Sequence, residues 1–169
     1  MGEQTTYSTS ESEVKITDGI SLYFFEKKMY NKILNLDIDD FIKARLIAEI
    51  TRFNTLYMIA KAGSGHIGSS FSSIDMVTWI YINILNKDDI FFSSKGHDSP
   101  GLCSLQAGLG IISFDKIHTL RKLNGLPGHP IASFPGSFTN TGSLGMGISK
   151  AKGFLKSSEI LGEDKKVYV

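Results

Sequence analysis

The sequence predicts an α/β fold in which helices flank the first part of an open parallel sheet. Helical and strand-like segments alternate along the chain, and this alternation is typical of parallel α/β architecture. Two short apolar runs, IFFSS at 90–94 and KKVYV at 165–169, have the pattern of buried strands and are separated by helical segments. Composition agrees with a globular domain, since 41% of the 169 residues are apolar and 21% are charged.

Charge and cysteine content narrow the range of functions. Eighteen basic and 17 acidic residues give a formal net charge of +1, so there is no electrostatic reason to expect nucleic acid or an anionic membrane as a partner. Cys103 is the single cysteine, which excludes an intrachain disulfide and fits a reducing compartment. The first residues lack an apolar signal region, and no run approaches the ~20 apolar residues of a membrane span. We therefore expect a cytoplasmic protein.

The N-terminal region differs in character from the rest of the chain. Residues 1–38 are interpreted as an N-terminal extension that is partly disordered, and residues 39–169 as the N-terminal part of a domain. Residues 1 to about 18 are rich in Ser, Thr and Glu and are expected to be mobile. Residues 20–36 are apolar enough to pack on another element, which the sequence does not identify.

A long first helix is predicted from about Asp39 to Lys61. Apolar residues recur there every three or four positions and form one stripe. The members of the stripe are Ile42, Leu46, Ile50, Phe53, Tyr57 and Ala60. The glycine-rich segment AGSGHIGSS ends this helix.

A second helix is predicted from Ser73 to about Leu85. Ser72 or Ser73 would cap its N-terminus, and Asp75 lies in its first turn. Its apolar residues lie on nearly all sides, so we expect the whole helix to be buried.

The second half of the chain contains three more predicted helices and a long loop. The helices run from about Ser99 to Leu109, from Phe114 to Leu123 and from Leu144 to Ile160. Between the last two, residues 124–147 contain so much glycine and proline that they are expected to form a loop, either ordered or flexible.

Three of the four histidines have glycine neighbours: His66 in SGHIG, His97 in SKGHDSP and His129 in LPGHPI. Glycine lets the backbone turn sharply and approach a ligand closely, and imidazole supplies a hydrogen-bond donor or acceptor near neutral pH. If these loops converge, they form a polar pocket for an anionic or polyhydroxylated ligand. His118, in the helical stretch FDKIHTLRKL, is expected to be a surface or half-buried residue.

Each motif also has a simpler interpretation. A single glycine–histidine pair is usually a turn with a surface histidine. The segment TGSLGMG at 141–147 is more often a helix cap than a phosphate site, although exposed amides at a helix N-terminus favour phosphate. Zinc is an alternative ligand for three histidines, but the chain has no closely spaced pair and no HxxxH motif, so no metal ligand is predicted in it.

Taken together, SGHIGSS, SKGHDSP, LPGHP and TGSLGMG occur in the order seen in transketolases. The chain resembles the N-terminal half of that family from about Phe41 to Val169, and the connecting text LRKLNGLPGHP fits as well. Deoxyxylulose-phosphate synthases are related, but SKGH and PGHP favour transketolase. The resemblance implies a thiamine-diphosphate-binding fold, and an enzyme that transfers a two-carbon ketol unit between sugar phosphates.

The resemblance also implies roles for individual residues. His66 would face the substrate and assist proton movement at the reacting carbon, and His129 would hold the terminal hydroxyl of the substrate. Five residues would contact or line the thiamine diphosphate cofactor: Ser69, His97, Gly142, Ser143 and Leu144.

The chain departs from the family pattern in two ways. Ile131 follows PGHP where the family usually has an acidic residue, which suggests a different substrate. The family's metal motif, Gly-Asp-Gly with a later Asn, is absent, so the ligands of Mg²⁺ are expected beyond Val169. Because the chain ends inside an apolar run, we expect a truncated sequence that is inactive alone and acts as a homodimer or with a complementary C-terminal chain.

Two alternatives to this enzyme remain. The first alternative is a shortened, non-catalytic binding or assembly partner. The missing metal motif favours this alternative, and the retained motif histidines argue against it. The second alternative is a related thiamine-diphosphate synthase of specialised sugar metabolism. A substrate specificity changed by Ile131 would favour this alternative.

Overall fold

The computed structural model describes residues 13–16 and 20–169, most of which are helical or lie in loops. The regular elements are β1 (Glu13–Ile16), β2 (Ile20–Tyr23), α1 (Lys27–Leu34), α2 (Asp40–Ala62), α3 (Ile67–Trp79), β3 (Ile90–Phe91), α4 (Ser99–Leu109), α5 (Gly147–Leu161) and β4 (Val167–Tyr168). A π-helical turn (Ile80–Ile84) continues α3, and a 3-10 helix (Phe114–Thr119) follows α4.

Strands β3 and β4 pair in parallel and carry the α/β character of the fold. The amide of Ile90 donates to the Lys166 carbonyl at 2.9 Å, and the amide of Phe92 donates to the Tyr168 carbonyl at 3.2 Å. The Asp89 carboxylate accepts from the amide of Lys166 at 3.1 Å, which fixes the register of the pair. Parallel strands need a long crossover, and α4 and α5 lie within it. The predicted α/β fold with a parallel sheet is confirmed.

Helix α4 lies at the centre of the molecule, in contact with α1, α2 and α3. Its residues are buried from Ser99 to Gly108. The amide of Gly101 donates to the hydroxyl of Ser70 on α3 at 3.3 Å, and a Cβ on Gly108 would lie 2.2 Å from the ring of Tyr30 on α1. These close approaches outweigh the cost of about 1 kcal/mol that glycine carries inside a helix. The predicted bounds of this helix are confirmed.

Helix α2 begins and ends close to the predicted positions. The side chain of Asp39 accepts hydrogen bonds from the amides of Phe41 and Ile42, at 2.9 Å and 3.2 Å, and so caps the first turn. Gly63 follows the last helical residue with φ +63°, the left-handed conformation that commonly ends helices.

The buried face of α2 is not the predicted stripe. Ile50 and Tyr57 are buried, but Ile42 is 54% exposed and Phe53 is 43% exposed. Apolar residues occur on both sides of this helix, so their spacing alone does not select the face that packs. The other buried residues include small and polar ones: Ala44, Ile47, Ala48, Thr51, Asn54, Thr55, Met58 and Ile59.

Helix α3 starts at Ile67, so the predicted start at Ser73 is wrong. The hydroxyls of Ser72 and Ser73 lie inside the helix and donate to the carbonyl of Ser69 at 3.2 Å. Serine is a favoured N-cap residue, and Ser72 or Ser73 followed by Asp75 therefore suggested a later start. Here Ser70 is buried against α4, and that packing extends the helix through the serine-rich segment.

The burial of α3 is one-sided, which corrects the expectation of burial on all sides. Ile74 and Val77 are buried, whereas Met76 is 64% exposed. Helices α2 and α4 pack against α3 but cover only part of its circumference. The helical path then continues through the π-helical turn and ends just before Leu85, as predicted.

The segment before α2 packs on the helical core, which answers the question the sequence left open for residues 20–36. Asn54 on α2 donates to the Phe25 carbonyl at 2.8 Å and accepts from the Phe25 amide at 2.7 Å. Tyr30 is fully buried, and its hydroxyl lies 3.2 Å from the hydroxyl of Thr51. Buried polar groups of α2 thus hold α1 and the preceding turn in place.

Strands β1 and β2 form an antiparallel pair at the start of the described chain. The predicted mobile segment, residues 1 to about 18, falls mostly on residues 1–12 and 17–19, which lie outside the described residues. The interpretation of residues 1–38 as an extension therefore stays a prediction.

The chain between the 3-10 helix and α5 contains no helix or strand, as predicted for this glycine- and proline-rich part. The predicted helix here is a 3-10 helix that ends at Thr119, earlier than expected. Arg121 and Asn124 have φ of +58° and +59°, and such left-handed residues interrupt a helix. Gln106 on α4 donates to the Gly136 carbonyl at 2.8 Å, which ties this loop to the core.

Candidate functional site

The three glycine-flanked histidines lie side by side. His66 precedes the first turn of α3, His97 lies in the turn before α4, and His129 lies in the long loop before α5. The ring centroids are separated by 4.9 Å for His66–His97, 4.7 Å for His97–His129 and 6.1 Å for His66–His129. Three loops that are far apart in sequence therefore converge, as the glycine–histidine motifs predicted.

Two glycines allow these loops to meet. Gly96 has φ +64°, and a Cβ there would lie 2.6 Å from the amide nitrogen of Gly142 and 2.7 Å from the hydroxyl of Thr141. Gly142 has φ +126°, and a Cβ there would lie 2.8 Å from Cδ2 of His129. Any side chain at either position would push the loops apart, because real Cβ atoms do not approach so closely.

The turn that carries His97 is held by a lysine and a buried aspartate. Lys95 donates to the Ser69 carbonyl at 2.7 Å and lies 3.7 Å from the Asp98 carboxylate. Asp98 is buried and accepts from the hydroxyls of Ser93 and Ser73, at 2.8 Å and 3.2 Å. The start of α3 and the turn before α4 are thus linked, and the predicted cofactor residue Ser69 is half-buried within this link.

The surroundings of His97 determine which of its two ring nitrogens carries the proton in the neutral ring. Nδ1 of His97 lies 2.6 Å from the Lys95 carbonyl. A carbonyl oxygen only accepts hydrogen bonds, so Nδ1 carries the proton in the neutral ring and Nε2 keeps its lone pair. His97 therefore offers the cluster a hydrogen-bond acceptor, or a metal ligand, in a fixed orientation.

The predicted cofactor residues Gly142, Ser143 and Leu144 lie in the loop before α5 and not in the helix itself. Gly142 contacts the ring of His129, whereas Ser143 and Leu144 are exposed. Helix α5 begins at Gly147, so the predicted start at Leu144 is wrong. The amide of Gly147 donates to the Ser94 hydroxyl at 3.0 Å, and the helix N-terminus is therefore partly satisfied by the protein.

The electrostatic environment of His129 favours the neutral form of its ring. Burial lowers its pKa below the ordinary value of 6.5, and the neighbouring His97, His66 and Arg121 lower it further. Arg121 is held at this edge of the site by a 2.7 Å hydrogen bond from its guanidinium to the Ser64 hydroxyl. With Lys122, it lines a depression of about 630 Å³ that reaches His129. The approach to the histidine cluster is therefore positively charged.

His118 lies elsewhere, against α2. Nδ1 of His118 is 2.7 Å from the hydroxyl of Tyr57. The ammonium group of Lys61 donates to the same hydroxyl at 3.0 Å. The ring of His118 packs edge-on against Phe24, with the ring centroids 5.0 Å apart. Burial lowers the pKa of His118 and raises that of Tyr57 to about 12. The expectation that His118 is a half-buried helix-region residue apart from the other histidines agrees with this position.

Comparison with known proteins identifies the family. The model of the thiamine diphosphate-binding domain of transketolase matches residues 43–165 of the chain. The chain belongs to the transketolase family. The matched region contains all three clustered histidines and the glycine contacts that join their loops.

Several curated relatives of this transketolase domain are named as subunits. One such subunit, of the apulose-4-phosphate transketolase of Phocaeicola vulgatus, is 33% identical over 134 residues, which cover 73% of this chain and 48% of the relative. Its counterpart in Actinobacillus succinogenes is 34% identical over 116 residues, 62% of this chain and 42% of the relative. Human transketolase is 30% identical over 112 residues, 60% of this chain and 18% of the relative. The chain thus matches less than half of the length of each of these proteins.

The site fits the cofactor for which the family domain is named. The hydroxyl of Thr141 and one carboxylate oxygen of Asp98 are buried without a hydrogen-bond partner in the described part of the chain. Buried polar atoms of this kind are usually satisfied by water or by a ligand. The Thr141 hydroxyl lies at the contact between the two loops, where a Cβ on Gly96 would be 2.7 Å from it. Unsatisfied polar atoms next to His97 and Gly142 in the chain suit a polar, phosphate-bearing ligand.

Sequence reasoning missed four residues that shape this candidate site: Lys95, Asp98, Arg121 and Thr141. Lys95 and Asp98 flank His97 in SKGHDSP, so the motif itself contained the signal. Arg121 had no such signal, since its position depends on a left-handed backbone conformation.

Within residues 13–16 and 20–169, no helix combines the length and apolar character needed to cross a bilayer.

Proposed function

We propose that this chain supplies the thiamine-diphosphate-binding part of an enzyme that transfers a two-carbon ketol unit between sugar phosphates. The observation that carries the proposal is the meeting of His66, His97 and His129 at one point, across the Gly96–Gly142 contact. Turns with surface histidines, the simpler interpretation of each motif, would not place three rings within 6.1 Å of one another.

The roles that the family resemblance implies for individual residues are part of this proposal. His97, oriented by the Lys95 carbonyl, and Ser69, held in the first turns of α3, would contact the cofactor. Gly142, with the exposed Ser143 and Leu144, would line its diphosphate and pyrimidine side. Magnesium would join the cofactor through ligands outside this chain.

The substrate side of the site would be formed by His66 and His129. His66 is exposed at the start of α3, where it can reach a bound sugar and move a proton at the reacting carbon. The lowered pKa of His129 favours the neutral ring, which can accept a hydrogen bond from a sugar hydroxyl or donate one to it. Bound thiamine diphosphate supplies a nucleophilic thiazolium carbon and an electron sink for cleavage of the carbon–carbon bond.

The substrate is proposed to be an anionic sugar. Arg121 and Lys122 line the depression beside His129 and would attract a phosphate group. Relatives of the chain are named for apulose-4-phosphate and for 6-deoxy-6-sulfo-D-fructose, both of which carry an acidic group. Ile131, 41% exposed just after His129 and Pro130, is the position at which we expect substrate choice to differ.

A complementary polypeptide is proposed to complete the active site. The relatives named as transketolase subunits are about twice as long as the matched region, and such a name implies at least one other polypeptide. Either a second copy of the chain or a separate C-terminal chain would then supply the remaining groups. We further propose a cytoplasmic location, where sugar phosphates are abundant.

The test is cofactor binding followed by turnover. The chain is purified together with its complementary polypeptide and titrated with thiamine diphosphate in the presence of Mg²⁺ by calorimetry. Saturable binding that is lost in His97→Asn supports the proposal, and ketol transfer is then measured on a panel of ketose phosphates. No binding at millimolar cofactor, or full binding by His97→Asn, contradicts it.

A further inference from the structure

The histidine cluster also has the composition and geometry of a transition-metal site. One nitrogen atom from each of His66, His97 and His129 lies within 4.8 Å of the other two. The sequence did not predict such a site, because zinc-binding histidines usually occur as closely spaced pairs. The convergence of three separate loops provides the same set of ligands without that spacing.

The distances between the nitrogens are close to those of a metal centre. With Zn–N bonds of about 2.1 Å in tetrahedral geometry, ligand nitrogens are about 3.4 Å apart, so each ring needs to shift inward by about 1 Å at most. Rotation of the side chains is sufficient for such a shift. His66 is exposed, so few contacts oppose its movement. The backbone of the three loops can therefore stay where it is.

His97 has the second hydrogen bond that metal-binding histidines normally make. Its Nδ1–H donates to the Lys95 carbonyl at 2.6 Å, and this leaves the Nε2 lone pair directed away from the backbone. In metal sites, such a bond from the other ring nitrogen fixes the tautomer and orients the ring. Lys95 is itself fixed by the Ser69 carbonyl at 2.7 Å, so the orientation is supported by α3.

We propose that the three imidazoles form a binding site for a divalent transition metal, with Zn²⁺ as the preferred ion, and that one coordination position stays open to solvent. Three neutral nitrogen ligands suit Zn²⁺, Ni²⁺ or Cu²⁺, whereas Mg²⁺ requires oxygen ligands. The metal site itself does not depend on the proposed function. Under that function, however, the same rings face the cofactor and the sugar, so zinc and thiamine diphosphate exclude each other.

Zinc titration of the chain without cofactor tests the metal site. Calorimetry in a buffer that does not bind metal is expected to show one Zn²⁺ per chain, with at least tenfold weaker binding in His66→Asn, His97→Asn and His129→Asn. His118→Asn is the matched control, because His118 lies apart against α2, and its affinity should stay within about twofold of the wild type. Co²⁺ should show the strong visible absorption of a four-coordinate ion.

The proposal is overturned if Zn²⁺ binds no better than Mg²⁺, if His118→Asn weakens binding as much as the cluster variants, or if bound Co²⁺ is six-coordinate. Far-UV circular dichroism checks that each variant is folded, and His→Gln replaces any Asn variant that is not.

A second titration, with thiamine diphosphate and Mg²⁺ present, separates the two proposals. A higher apparent dissociation constant for Zn²⁺ supports mutual exclusion, and an unchanged constant despite bound cofactor contradicts it. If the cofactor does not bind at all while zinc still does, the metal site stands and the proposed function fails.

Discussion

The protein contains two groups of histidine contacts that differ in backbone, burial and partners. His66, His97 and His129 lie on glycine-flanked turns and loops, and one ring nitrogen of each lies within 4.8 Å of the other two. His118 is instead enclosed by Tyr57, Lys61 and Phe24 at the surface of α2.

This difference shows what the backbone contributes to the use of a histidine. Around His118, helix-borne side chains satisfy the ring, so its role is structural. In the cluster, glycine brings the loops so close that the three rings are neighbours, and the ring of His66 is exposed to solvent. We propose that a ligand reaches the cluster from the exposed side of His66 and from the depression beside His129.

The largest effect is expected from Gly96→Ala. The new Cβ would lie 2.6 Å from the Gly142 amide nitrogen, at φ +64°, so the two loops must separate. Because misplacement by about 1 Å can reduce activity by about 100-fold, we expect at least that loss in ketol transfer by the assembled enzyme, together with weaker cofactor binding.

Gly153→Ala is the control for this change. Gly153 lies within α5, where a Cβ would meet no atom within 4 Å, and alanine there should stabilise the fold by about 0.5–1 kcal/mol. Urea denaturation of both variants separates loss of the site from loss of the fold. If Gly96→Ala binds cofactor normally, the contact between the loops is not needed for the site.

Substitution of single histidines should affect activity differently in the two groups. His129→Asn is expected to lower the rate of ketol transfer by about 100-fold, the lower end of the range for loss of a proton-transfer or positioning group. His118→Asn should retain activity within about threefold at a temperature where it is folded, since its partners Tyr57 and Lys61 do not touch the cluster. Steady-state assays of both purified variants check this. Equal losses would mean that the contrast between the groups is wrong.

A smaller effect, on stability alone, is expected from Tyr57→Phe. The Tyr57 hydroxyl accepts from Lys61 and, because its pKa is raised to about 12, keeps its proton and donates to Nδ1 of His118. Loss of this buried group should lower the free energy of unfolding by about 1 kcal/mol.

Tyr23→Phe provides the matched comparison. Tyr23 is 43% exposed, so the same change of side chain should alter the free energy of unfolding by less than about 0.5 kcal/mol. Denaturant titration measures both variants, and cofactor binding should be unchanged in each. If Tyr57→Phe lost cofactor affinity, the contacts of His118 would affect the histidine cluster, and the two groups would not be independent.

The weakest effect is the dependence of stability on pH. His118 and His129 both have pKa values below the unfolded value of 6.5, mainly through burial. Just below that value the unfolded chain binds more protons than the folded chain, so stability falls as pH drops through the window below about 6.5. Thermal melting across this range should show the decrease, and His118→Gln should make it shallower. An unchanged slope in His118→Gln would show that the pKa of this ring is the same in the folded and the unfolded chain.

Much of the fold could be predicted because the sequence signals were local. Asp39 and Gly63 mark the ends of α2, and apolar runs mark β3 and β4. The buried face of α2 could not be predicted, because it depends on which neighbours cover a helix that is apolar on two sides. The early start of α3 depends on packing of Ser70 against Gly101, which no local rule contains.

The candidate site was predictable in part for a similar reason. Glycine next to histidine marked the loops, and the order of the motifs indicated the family. The supporting residues were not found, since the buried Asp98 and the left-handed Arg121 act through contacts that are distant in sequence. The loop residues could thus be identified from local composition. The groups that orient them could be identified only from the folded structure.

The central claim is that separate loops unite three histidines into one site for thiamine diphosphate. The most direct test follows the imidazole signals of all four histidines by NMR while thiamine diphosphate and Mg²⁺ are added to the chain with its complementary polypeptide. The account predicts that His66, His97 and His129 follow one binding curve and that His118 does not move. Saturation with cofactor that leaves the three signals unchanged, or that shifts His118 equally, would contradict it.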